Sequence, residues 1–145
     1  ETCTVYIALL YKNKDGGIQE WRRMMNIEYV NENGVNIAVV SGEEVVLADV
    51  QSALDLAMTI KYDTGAARIA IDKAAVCEAF FVLSTGMAGE ILQKFINYHV
   101  KLAIYGDYTQ YTSKPLKDFI YESNNGSDFF FVQTREEAVQ RLAAV

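Results

Sequence analysis

A single histidine and two cysteines in 145 residues leave few donors for a transition metal. His99 has no second His or Cys near it in the sequence to complete a ligand set, and it suits the end of a helix, where its cation meets the negative end of the dipole. No metal site and no cofactor are assigned. Cys3 and Cys77 lie far apart and outside any paired spacing, a usage that fits buried or inert thiols in a reducing cytoplasm. Positive charge is scarce as well: 13 Lys and Arg stand against 19 Asp and Glu, a net charge of -6. The basic residues are scattered apart from Arg22-Arg23, which excludes the clustered footprint that direct nucleic-acid binding needs. No apolar run approaches the ~20 residues of a membrane-spanning helix, and no charged segment leads into a cleavable apolar stretch. The reading is a soluble, cytoplasmic protein.

What is present is apolar: 51% of the residues are hydrophobic, enough for one well-covered core and, at this length, one domain. That domain is placed at residues 25–145. Residues 1–24 read as an N-terminal extension, and two origins stay open for it. Trp21-Arg22-Arg23 ahead of Met24-Met25 can be written in purine-rich codons that resemble a ribosome-binding site, with the natural start at Met24 or Met25. Alternatively the segment is the tail of an upstream fused domain.

Ile27–Val30, Asn31-Glu32-Asn33-Gly34 and Val35–Val40 predict a β-hairpin, because Asn-Gly supplies the positive φ of a tight turn. Val45–Leu47 reads as a further short strand. Asp49 caps a helix to about Lys61, with Val50, Ala53, Leu54, Ala57 and Met58 inward and Gln51, Ser52 and Asp55 outward. Ala66–Ile71 and Val100–Tyr105 are near-continuous apolar runs, the mark of parallel strands buried on both faces. Between them, Met87, Ile91, Leu92, Phe95 and Ile96 recur at helical spacing over Gly86–His99. Ser113, with Pro115 in the first turn, opens a helix that ends at a left-handed cap near Asn124-Asn125-Gly126. Phe129–Val132 is the last strand, and Thr134 with Glu137 makes a capping box for the last helix. The class is therefore α/β: an N-terminal hairpin, then alternating helices and parallel strands in one mixed sheet. The strands ending at Asp72 and Asp107 are expected side by side, over a core of Ile69, Ile71, Phe81, Ile91, Phe95, Leu102, Ile104, Phe119 and Phe130.

Residues 25 to 142 resemble a bacterial family known only as domain of unknown function 4180. The resemblance runs through Phe80-Phe81-Val82-Leu83-Ser84-Thr85-Gly86-Met87-Ala88-Gly89-Glu90-Ile91-Leu92-Gln93-Lys94-Phe95, Gly106-Asp107-Tyr108 and Leu116-Lys117-Asp118-Phe119-Ile120-Tyr121-Glu122-Ser123-Asn124. More remotely, Phe81–Ala88 is similar to the Phe-x-Asp-Ser-Ser-Gly-Leu-Gly loop of STAS domains, the fold of anti-sigma-factor antagonists. That resemblance implies a STAS-like sheet and a regulatory module, with Ser84 at the position phosphorylated in the antagonists, Thr85 at the next serine and Gly86 at the helix start. Leu83 replaces the motif's Asp and removes a carboxylate beside the hydroxyl.

Sites in open α/β sheets form outside the carboxyl ends of the parallel strands, which directs attention to Asp72-Lys73, Ser84-Thr85-Gly86, Asp107-Tyr108, Tyr111 and Ser113-Lys114. Each has a plain reading beside a functional one. Ser84 caps the helix that follows or accepts a phosphate there. Asp72 and Asp107 form turns or, with Lys73, do acid-base work. Tyr105, Tyr108 and Tyr111 favour a protein partner. Ser84 and His99 make no nucleophilic pair, since the helix between them separates them by roughly 20 Å. No catalytic set is assigned, and the balance leans away from an enzyme. Two readings result: a non-catalytic regulatory or protein-interaction module, with self-association open to it, or a small-molecule-binding domain or enzyme built on Asp72, Lys73, Ser84, Asp107 and Lys114.

Overall fold

The structure is a computed structural model in which residues 25–42 and 44–145 are described, Met25 by its backbone only. The expected extension at residues 1–24 lies outside them. Strands β1 (Met25–Glu32) and β2 (Val35–Gly42) form the expected hairpin, with Asn33 at φ 55° and Gly34 at φ 84° in its turn. Helix α1 (Val50–Thr64) leads to β3 (Arg68–Asp72), α2 (Met87–Asn97) to β4 (Lys101–Tyr105), and α3 (Lys114–Asn124) to β5 (Phe129–Val132), before α4 (Arg135–Ala143). The sheet order is β1-β2-β3-β4-β5, antiparallel at the hairpin and parallel thereafter. The pairing of Asp72 with Tyr105 makes β3 and β4 the parallel neighbours expected.

Side chains alternate across each strand, so the sheet has two cores. Ala38, Val40, Ile69, Ile71, Leu102, Ile104, Phe129 and Phe131 face the side carrying buried residues of α1, α2 and α3, among them Leu56, Ile91, Phe95 and Leu116. Ile37, Val39, Ala70, Ala103, Phe130 and Val132 face Ala138, Val139 and Leu142 of α4. Alanines at the centre of that second face let one short helix lie across β2 to β5. Phe130 therefore belongs to the opposite layer from the one expected. In a strand buried on both sides every position is apolar, so sequence alternation does not assign the face.

Three other expectations change. Helix α1 is rotated relative to the face assigned from sequence: Ser52, Ala53, Leu56, Ala57, Thr59 and Ile60 are buried. Ser52 is inside because its hydroxyl accepts the Ala48 and Asp49 N–H groups at 2.9 Å, while Asp49 accepts from Ser52 N at 2.8 Å. Leu47 makes only an isolated bridge to Val76, and no strand spans Val45–Leu47. Asn125 ends α3 in the right-handed region, φ -86°, in place of a left-handed cap. A left-handed cap does close α1 at Gly65, φ 77°, and a left-handed His99, φ 61°, follows α2 and lets Val100 N–H reach Phe95 C=O at 2.8 Å.

Among the described residues no helix is long and apolar enough to cross a membrane. Cys77 is 2% exposed and disulfide-bonded, so it is not the free thiol expected. Cys3 lies outside the described residues.

A candidate binding groove at the strand ends

The chain leaves β3 through three short 3-10 turns, Lys73–Ala75, Glu78–Phe81 and Leu83–Thr85, before α2 begins. Asp72 starts this path as a turn former, its Oδ1 accepting Ala74 N–H at 2.9 Å. The middle turn buries Phe80 and Phe81 against Phe131 of β5. On the neighbouring strand end, Asp107 accepts both the backbone N–H and the hydroxyl of Thr109, at 2.9 and 2.8 Å. Those bonds, the backbone one foremost, hold the exposed Asp107 carboxyl below its usual range.

Tyr108 and Tyr111 then turn back over the sheet. The Tyr108 hydroxyl donates to Ile104 C=O at 2.6 Å, and its ring packs on Phe81 and Phe131. Tyr111 stacks on Phe81 with centroids 5.2 Å apart and planes at 23°, and its hydroxyl donates to Glu78 Oε2 at 2.6 Å. Burial raises both phenols above their ordinary range; for Tyr111 the Glu78 carboxylate adds to the rise, and for Tyr108 the neighbouring Tyr111 does. Burial, with the Asp72 charge second, also raises Tyr105.

Between the two paths lies an open groove of about 700 Å³. Phe81, Val82, Leu83 and Ser84 form one wall, and Gln110 to Ser113 with Pro115 and Leu116 form the other. Among the described residues no charged side chain lines it. Of the residues selected from sequence, the groove gathers Ser84, Tyr111 and Ser113; Asp72, Lys73, Asp107 and Lys114 are not among its walls. Lys114 pairs with Asp118 at 2.7 Å on the surface, which raises its amine's affinity for the proton. Ser113 accepts Leu116 N–H at 3.4 Å as the α3 cap.

Ser84 is exposed and does not cap α2. The residue at the helix N-cap is Gly86, φ 77°, which carries no side chain, and Thr85 performs the work expected of Ser84. Its hydroxyl accepts Met87 N–H at 3.2 Å and donates toward Val82 and Ala79 carbonyls at 2.8 and 3.1 Å. Sequence reasoning missed Glu78, Gln110 and Thr112, because nothing in the local pattern shows that Glu78 meets a tyrosine 33 positions away. Among the described residues no three His, Cys, Asp or Glu side chains come together as metal ligands would.

Comparison with known families places a match to the domain of unknown function DUF4180 over residues 32–142. No curated protein matches the chain.

Proposed function

The chain belongs to the DUF4180 family of domains of unknown function, and on that premise we propose that it is a non-catalytic protein-interaction module that docks an uncharged segment of a partner protein in the groove between Phe81–Ser84 and Gln110–Leu116. The observation that carries this reading is the groove's lining: among the described residues it is aromatic and aliphatic side chains interrupted by hydroxyls and one amide, with no charge. The charges nearest the walls, Lys73 and Glu78, already engage each other and Tyr111, so an ionised ligand group would lose water there without gaining a free counter-charge. A neutral segment would bury its side chains on Phe81, Val82 and Tyr111 and place backbone groups within reach of Ser84, Gln110 and Thr112. Acid-base chemistry finds no support in this lining, because Asp72 and Asp107 are engaged in turns. The remote STAS resemblance adds to the reading, since Ser84 lies on one wall. It also favours work among cytoplasmic partners.

The volume favours a second reading, since small-molecule sites span roughly 300–1,000 Å³ and are lined in this mixed way. One experiment separates the two. A photo-crosslinking residue is placed at Thr112, and a control at Tyr62, which is exposed on α1 outside the groove. Both variants are expressed in the native host. Docking expects one recurrent crosslinked protein from Thr112 only, lost when Val82→Glu puts a charge in the groove, and confirmed by 1:1 binding of the purified pair. A low-mass compound retained by the wild type in native mass spectrometry, with no such crosslink, selects the second reading.

A further inference from the structure

Among the described strand-end residues, Lys73 carries a charge that is largely withdrawn from water. Its side chain is only 14% exposed, and its Nζ lies 5.1 Å from the Phe81 ring centroid, 4.8 Å from that of Tyr111 and 4.0 Å from Glu78 Oε1. The aliphatic stem runs against the end of β4, where Gly106 makes room for it. A Cβ at Gly106 would stand 2.6 Å from Lys73 Cβ and 3.2 Å from its Cδ. One ammonium thus bridges a ring from the segment before α2 and a ring from the segment after β4, and Glu78 completes the connection by accepting the Tyr111 hydroxyl. Phe81 and Tyr111 are one residue from each of the two groove walls.

We propose that Lys73 is the positioning residue of the groove: its cation, seated on the faces of Phe81 and Tyr111, holds the Tyr108–Ser113 loop in register with the Phe81–Ser84 turn, and Gly106 is required so that the stem can reach that seat. The amine itself does no chemistry and touches no occupant. Cation–ring contacts strengthen when the cation is withdrawn from water, as it is here. The inference rests on the groove being the working surface, but its test is made on the free protein, so its failure would leave the crosslinking result standing and the reverse holds equally.

The test follows hydrogen exchange of the Tyr111 amide, which bonds to Tyr108 C=O at 3.1 Å, and compares it with core amides such as Leu102, which bonds to Asp128 C=O at 3.0 Å. Lys73→Met keeps the stem and removes the charge. It is expected to speed Tyr111 exchange roughly tenfold, the loss of one such contact, while Leu102 is unchanged. Lys73→Arg should restore most of the protection, and Gly106→Ala should reproduce the Lys73→Met pattern by displacing the stem. In the wild type the Lys73 ε-methylene protons should be shifted upfield by the two rings. Unchanged Tyr111 exchange in Lys73→Met, equal acceleration of Tyr111 and Leu102, or ordinary ε-proton shifts would each overturn the proposal. Where Lys73→Met does not fold, Glu78→Gln replaces it. A smaller acceleration confined to Tyr111 is expected there, and none would count against the bridge.

Discussion

Asn124 gives the sharpest test of how this sheet ends. Among the described residues β5 is an edge strand, and the outward N–H and C=O of Phe131 meet no further strand there. The Asn124 side chain at the end of α3 takes that place: its Oδ1 accepts Phe131 N–H at 2.7 Å and its Nδ2 donates to Phe131 C=O at 3.0 Å. Phe131 is 5% exposed, so water does not replace these bonds freely. Asn124→Ala removes both at once. An unsatisfied buried group costs about 1–3 kcal/mol, and with partial access of water the pair should cost about 2–4 kcal/mol, well above the ~1 kcal/mol of one ordinary hydrogen bond. Urea denaturation should show this as a lower midpoint at constant slope. Asn124→Asp discriminates further. The carboxylate can still accept from Phe131 N–H but opposes the C=O, and its protonated form regains a donor, so the folded state should hold the proton more tightly than the ordinary carboxylate near 4. Stability of this variant is then recovered as pH falls through that raised pKa and lost as pH rises above it. An Asn124→Ala midpoint within about 0.5 kcal/mol of wild type would refute the reasoning, because surface substitutions without a mechanism fall in that range.

The other expectations follow from single contacts. Phe95 is fully buried among the α2-side core, and Phe95→Ala should cost roughly 3–5 kcal/mol by the same denaturation assay. Ser84→Asp and Ser84→Ala should both melt within about 0.5 kcal/mol of wild type, whereas Thr85→Ala, which deletes the hydroxyl that accepts Met87 N–H, should lose about 1 kcal/mol. In an ultraviolet titration Tyr108 and Tyr111 should ionise above the ordinary phenol range. Their folded pKa values lie above the unfolded value of about 10, so the stability they add is complete below pH 10 and is lost as pH rises beyond it; Tyr111→Phe should flatten that alkaline decline. His99→Gly should raise stability by up to about 1 kcal/mol, since it relieves a side chain held in the left-handed region.

How much of this was legible in the residues depends on the range of the interaction that decides each feature. The hairpin turn, the Asp49, Ser113 and Thr134 caps and, the Val45–Leu47 strand apart, the order of helices and strands depend on contacts within about four residues, and these are where the pattern puts them. The 3-10 turns from Lys73 to Thr85 escaped because a three- or four-residue turn completes no helical period. Ser52 escaped for a different reason. A hydroxyl counts as polar in any hydrophobic pattern, yet capping partners satisfy it inside the fold, and with it buried the whole inward face of α1 turns.

The site is the hardest part to read, and its charged candidates show why. Asp72 ends β3 and Asp107 follows the end of β4, positions where the demand for a turn former and the demand for a ligand-facing acid select the same residue; only the bonds to Ala74 and Thr109 reveal which demand is met. Lys73 reads as a free amine because its neighbours in sequence are Asp72 and Ala74, while the groups that receive its charge, Glu78, Phe81 and Tyr111, arrive from two separate segments. What makes that convergence possible is Gly106, the residue without a side chain. In the sequence it is one more loop glycine before an aspartate; in the fold it is the space through which a cation reaches two aromatic rings and draws the walls of an uncharged groove together.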